Sequence, residues 1–159
     1  MLSRSFKKIV GVELEKFKRE QVLSFAWRCA IRALPYLATE GNFNFWRQEK
    51  RQKYIYAVFY ALDISIANSF KYIHADSSVE DASEAATGAA DAADAAFDAV
   101  YASSAADAAF AAAYASVNNA FAASAAVEAT FATNPGGTLE SMILEDLENI
   151  KKNKKQSVS

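Results

Sequence analysis

The sequence predicts an all-α fold, a single-domain helical bundle or stack of about six helices in which alanine-rich helices are closely packed. Three observations carry this. From Ala82 to Ala132, 26 of 51 residues are alanine, the best intrinsic helix former because it loses no side-chain entropy and clashes with nothing. The chain has only 5 glycines and 2 prolines and few β-branched runs, a composition that favours helices. Elsewhere, apolar residues recur at offsets of three and four, the helical period. With 159 residues, 52% of them apolar, the chain can bury a real core. It reads as one domain over 1–155, with a frayed tail at 156–159.

In chain order, residues 1–11 suit a short helix or arm ending near Gly11. Val12 to Leu34 reads as one helix, with Leu14, Phe17, Val22, Phe25, Cys29 and Ala33 on one face and Leu23, Trp27, Ile31 and Leu34 beside it. From Val22 onward it is apolar around most of its circumference, which predicts a central position. Pro35 lacks an N–H and restricts Leu34, so the helix ends or kinks there. Thr39-Glu40-Gly41-Asn42 is a turn signal.

Asn44 is the expected N-cap of a long helix running to about His74. Its apolar stripe is Ile55, Phe59, Leu62, Ile66, Phe70 and Ile73. Ser77 and Glu80 have capping-box spacing and start the alanine-rich section. Asn134-Pro135-Gly136-Gly137 ends it, and Thr138 caps a last helix with Leu139, Met142, Ile143, Leu147 and Ile150 apolar. Lys151, Lys152, Lys154 and Lys155 complement the negative end of that helix.

The alanine-rich section is patterned. On a helical wheel, Phe110, Tyr114, Val117 and Phe121 form one narrow stripe. Glu80, Glu84, Asp91, Asp94 and Asp98 form a second, well-separated stripe, which Thr87 continues. A single helix from Val79 to Thr133 would span about 80 Å, against a domain roughly 30–35 Å across. The section therefore has to break. Phe97, Val100 and Tyr101 do not share a face with Phe110 to Phe121, which puts one break near Ser103-Ser104; Asn118-Asn119 is the second candidate. Two or three antiparallel helices with their alanine faces together are expected, since small side chains let helices approach closely.

Net charge is only −2 but unevenly distributed: residues 1–75 carry +7 and residues 76–159 carry −9. Either the halves attract each other, or the acidic half faces a basic partner. No apolar run reaches the roughly 18 residues that a membrane span needs. Arg4, Lys7 and Lys8 precede only a short apolar patch, and Glu13, Glu15 and Glu20 follow too soon for a signal peptide. A single cysteine, Cys29, has no disulfide partner, so the chain reads as cytoplasmic.

Little in the sequence points to catalysis. His74 is the only histidine, and with one cysteine it is poor material for a metal site. Asp91, Asp94 and Asp98 share a face and could meet a hard cation, but solvated acids on an alanine helix are commoner. Cys29 lies on an apolar face and reads as a small core residue. No phosphate-binding loop, dinucleotide fingerprint or zinc-protease motif is present. The expectation is a protein that is not an enzyme and needs neither cofactor nor metal. Arg47, Lys50, Arg51 and Lys53 lie among Phe43, Phe45, Trp46, Tyr54 and Tyr56, a mixture that binds nucleic acid in other proteins. Glu49 within the run and a pI of about 5.5 argue against that role.

The segment Phe25-Ala26-Trp27-Arg28-Cys29-Ala30-Ile31-Arg32-Ala33-Leu34-Pro35-Tyr36-Leu37 is followed by a long alanine-rich helical section with aromatic punctuation. Together they resemble the small all-α bacterial immunity proteins that accompany polymorphic and contact-dependent growth inhibition toxins. This chain carries aspartates in the alanine run, where arginines are common among those proteins. The resemblance implies a cytosolic inhibitor, an antitoxin that binds one cognate toxin domain tightly and does no chemistry itself. Many such toxins are nucleases with basic active sites, which makes a basic nuclease, a ribonuclease above all, the expected partner. An acidic helical face suits such a partner, because complementary charge speeds association. The candidate toxin-binding residues are Glu84, Asp91, Asp94, Asp98 and Asp107. The alternatives are a self-associating helical scaffold and a nucleic-acid-binding protein that uses the basic run at 47–53.

Overall fold

Alanine brings helices together but supplies no bulk, so the large side chains of the other helices have to fill the core. The computed structural model describes residues 4–39, 41–69, 75–133 and 137–156. Among them are seven α-helices: α1 (Arg4–Leu14), α2 (Arg19–Ala33), α3 (Arg51–Ser69), α4 (Ala75–Ala95), α5 (Val100–Tyr114), α6 (Phe121–Phe131) and α7 (Thr138–Gln156). Single 3-10 segments cover Leu34–Ala38 and Gln48–Lys50. The chain is an all-α helical bundle, as its composition predicts.

Helix α5 sits at the centre. It packs on α2, α3, α4 and α6, and Ala102, Ala105, Ala106, Ala108, Ala109, Ala111, Ala112 and Ala113 are all buried. Helix α2 is the second central element, touching α3, α5, α6 and α7. It contributes the buried Val22, Leu23, Phe25, Ala26, Cys29, Ala30 and Ala33. The largest fully buried side chains are Trp46, Phe6, Phe25 and Leu23, all outside the alanine-rich section. Alanine thus sets the spacing, and residues from α1, α2 and the loop before α3 supply the volume.

The alanine-rich section breaks twice, giving three helices. The second break falls where the asparagines predict it: the Asn118 side chain accepts the Ala120 N–H at 3.1 Å. The first does not fall at Ser103-Ser104, which lie inside α5. It falls at residues 96–99, where Ala99 leaves helical geometry (φ −103°, ψ 83°). Ser103 instead donates its hydroxyl to the Ala93 carbonyl at 2.9 Å, tying the start of α5 to the end of α4. Gly88 lets α4 pack tightly on α3, since a Cβ there would lie 3.3 Å from the Ala57 Cβ.

Other boundaries also shift. Gly11 lies within α1, and the helix expected over Val12–Leu34 is interrupted at residues 15–18. There Lys18 is extended and Gln21 accepts its N–H at 2.9 Å. No proline or glycine marks that break. It follows from packing: α1 lies on α6 and α7, and α2 runs through the middle. Pro35 does end α2, and the chain tightens into the 3-10 segment. Gly41 has φ +74°, in the turn predicted there.

Asn44 does not cap α3, which begins at Arg51. Its side chain accepts Arg51 Nη2 at 2.8 Å within the preceding loop. The buried face of α3 is Val58, Ala61, Leu62 and Ser65, rotated from the predicted stripe so that Phe59 is 47% exposed. Ser65 belongs inside because its hydroxyl meets the Ala112 carbonyl at 3.2 Å. The predicted end of this helix, Phe70 to His74, lies outside the described residues. Helix α4 already runs at Ala75, so Ser77 is inside it and is not its cap.

Asn134, Pro135 and Gly136 are also outside the described residues. Gly137, with φ +64°, leads into α7, whose first residue is Thr138. The buried face of α7 is Leu139, Ile143, Leu147 and Ile150, with Met142 exposed. The helix carries through Gln156, the first residue of the predicted tail.

Candidate functional site

Helix α4 turns Ala82, Ala85, Ala86, Ala89, Ala92 and Ala93 inward, and Ala96 in the turn after it is buried as well. Positions 80, 84, 91, 94 and 98 fall on the opposite side by the helical period, and all five acids there are exposed. Four of the five predicted binding residues, Glu84, Asp91, Asp94 and Asp98, therefore project from one outer crest, which extends into the turn after α4. Helix α4 packs on both α3 and α5.

Asp107, the fifth, is on α5 and half-buried. Burial, and then the charge of Asp94, hold its carboxyl above its ordinary value. Glu128 of α6 is also half-buried and raised, by burial first and the charge of Asp107 second. One acid from each of three adjacent helices thus forms a line of mutual repulsion across the bundle. On the α3 side, Tyr60 is raised by burial and by the charges of Asp81 and Glu84. Sequence reasoning missed Glu128, because a helical wheel treats one helix at a time, and Asp81, because it falls off the acidic stripe on the wheel of α4.

Among the described residues, no cation pairs with these acids. Four acids elsewhere are paired: Asp146 with Arg32 (2.8 Å) and Arg28 (3.6 Å), Glu13 with Lys151 (2.6 Å) and Lys16 (3.2 Å), Glu148 with Lys151 (2.9 Å), and Glu49 with Arg47 (3.1 Å). Among the described residues, none of Glu80, Asp81, Glu84, Asp91, Asp94, Asp98, Asp107 and Glu128 is in such a pair. The described ion pairs that join the two halves of the chain all involve α7: Asp146 with Arg28 and Arg32, and Lys151 with Glu13. No three carboxylates, thiols or imidazoles among the described residues converge well enough to hold a metal ion.

Phe97 lies beside this face. It sits in the α4–α5 turn, between Asp94 and Asp98 in sequence, and is 79% exposed. Val100, at the start of α5, is 55% exposed. The predicted aromatic stripe lies at the edge of the core, with its three rings packed against it. Phe110 and Tyr114 of α5 and Phe121 of α6 are half-buried and pack on one another, with ring centroids 4.5–5.7 Å apart. Val117, in the loop between them, is exposed.

The other candidates lose their chemistry. Trp46 is 1% exposed and donates its indole N–H to the Ala92 carbonyl at 2.9 Å. Phe43, Phe45 and Tyr54 pack around it. The aromatic platform beside Arg47–Lys53 is therefore largely used to hold the loop onto α4. Arg51 is occupied by the Trp46 carbonyl and Asn44, which leaves Lys50 and Lys53 as exposed cations. Burial pushes the Cys29 thiol well up, and Asp146 adds to this, so the thiolate that a nucleophile needs is suppressed. His74 lies outside the described residues. No helix among the described residues is long and apolar enough to cross a membrane.

Comparison with protein-family models, with curated proteins and with solved structures finds no match to this chain.

Proposed function

We propose that this protein is an immunity protein that binds and neutralises a basic toxin domain, with a ribonuclease as the favoured partner, through the acidic face centred on Glu84, Asp91, Asp94, Asp98 and Asp107. One observation supports this above the others. Glu13 of α1 and Asp146 and Glu148 of α7 find cations within the chain, whereas among the described residues none of Glu80, Asp81, Glu84, Asp91, Asp94, Asp98, Asp107 and Glu128 is in an ion pair. Charges gathered on one face and kept repulsive, two of them half-buried, reduce stability. A partner that brings lysines and arginines removes that repulsion on binding, and the field steers its approach.

The protein acts by occupation on this reading, and the cytoplasm is where it does so. A nuclease active site is cationic because it holds phosphates, so a rigid anionic helix crest can occupy it or the surface around it. The test is charge reversal of Asp91, Asp94 and Asp98 together. These side chains are exposed, so the fold should persist while binding is lost. Retention of affinity at low salt would exclude this face as the site.

A further inference from the structure

We infer that Phe97 and Val100, at the tip of the α4–α5 hairpin, form the apolar anchor of this binding face and seat in an apolar pocket on the basic protein partner. The inference rests on the proposed function and deepens it by naming the part of the face that holds the complex together. The fold has no need of a phenylalanine at this position. Ala96, its neighbour, is fully buried and fills the space under the turn, while the Phe97 ring stands 79% exposed. Val100 is 55% exposed, so water faces two large apolar side chains three residues apart.

The turn that carries them is well held. Ala96 N–H reaches the Ala92 and Ala93 carbonyls at 3.1 Å, Phe97 N–H reaches Asp94 at 3.2 Å, and Ala99 N–H reaches Ala96 at 2.8 Å. Ser103 ties the hairpin across to Ala93, and Trp46 grips the carbonyl of Ala92. A ring presented on a fixed turn loses little freedom on binding, which favours affinity. Its surroundings select the occupant. Asp94 and Asp98 flank Phe97 in sequence, and both are exposed and pair with no cation among the described residues. A purely apolar surface or an anionic one would leave or worsen that charge, whereas a pocket rimmed by lysine or arginine matches both features. Interfaces of this kind place an aromatic residue at the centre and charges at the rim.

The test compares the wild type, Phe97→Ala with Val100→Ala, and the Asp91, Asp94, Asp98→Lys triple variant. The probe is the basic domain that co-purifies with the wild type from its source cells, catalytically inactivated, and binding kinetics are followed at low and moderate salt. The double alanine variant is expected to dissociate about 30-fold faster or more, with association and its salt dependence unchanged. Phe97→Trp should restore most of the lost residence time. If the double alanine variant binds as the wild type does while charge reversal abolishes binding, the anchor is overturned and the acidic face stands. If the triple variant keeps full affinity, the proposed function itself fails.

Discussion

Asp107 of α5 and Asp94 of α4 repel one another across the helix–helix seam, and the repulsion helps hold the Asp107 carboxyl above its ordinary value. Glu128 of α6 extends the same line of charge. The stability of the folded chain and its proposed binding are linked through this row.

Asp107→Asn should stabilise the protein at neutral pH. Asp107 holds its proton more tightly in the folded state than in the unfolded one. Its contribution to stability therefore falls as pH rises from the ordinary carboxylate value through the raised one, and stays lost above that. Removing the charge should recover about 0.5 kcal/mol, a figure discounted for solvent screening. Thermal melts at neutral and mildly acidic pH check this. The gain should be largest at neutral pH and shrink on acidification. On the proposed function, the same variant binds the basic partner more weakly.

Asp146→Ala should loosen α7. Asp146 is buried and takes two bonds from Arg32, at 2.8 and 3.0 Å, with Arg28 at 3.6 Å. These contacts join α2 to α7. Because both guanidiniums are partly exposed and can rehydrate, the cost should be about 2 kcal/mol. Hydrogen exchange is the measurement, with protection falling in α7 well before α5.

Gly88→Leu should destabilise by about 1–3 kcal/mol, the usual cost of forcing volume into a packed contact. The Ala57 Cβ lies 3.3 Å from where even a first carbon would sit. Chemical denaturation measures the loss. Ala57→Gly in the same chain should recover part of it, which ties the effect to the α3–α4 approach.

Trp46→Phe tests how the loop before α3 is held. It keeps an aromatic ring but removes the donor to the Ala92 carbonyl, and the expected cost is about 1–2 kcal/mol. Nearby Phe43 has φ 55°, a conformation uncommon for a residue with a side chain. Weakened anchoring should therefore appear first as faster proteolysis of residues 41–50.

The all-α class was legible because alanine content and scarce glycine and proline leave few alternatives. The exposed acids of α4 were legible because one helix obeys one period. The break at 96–99 was not, since it contains neither glycine nor proline and the serines nearby serve a cross-helix bond instead. The stripe on α3 was misjudged for a related reason. Ser65 and Ala61 fit against the small side chains of the alanine-rich helices better than Phe59 does, so packing overrode hydropathy. Trp46, apparently available to stack on a base, is buried because its loop folds back onto α4. The line from Asp94 through Asp107 to Glu128 spans three helices and depends on how they are arranged.

The central claim is that the acidic face of α4 and α5 binds a basic domain. The most direct measurement is the affinity of the wild type and of the Asp91, Asp94, Asp98→Lys variant for the inactivated basic domain that co-purifies with the wild type from its source cells, at low and moderate salt, with thermal melts run alongside. The account predicts one-to-one binding that weakens with salt, a loss on the order of 100-fold in the variant, and a variant that melts as a folded protein. Equal affinity of the two proteins at low salt, or the absence of stoichiometric binding by the wild type, would contradict it.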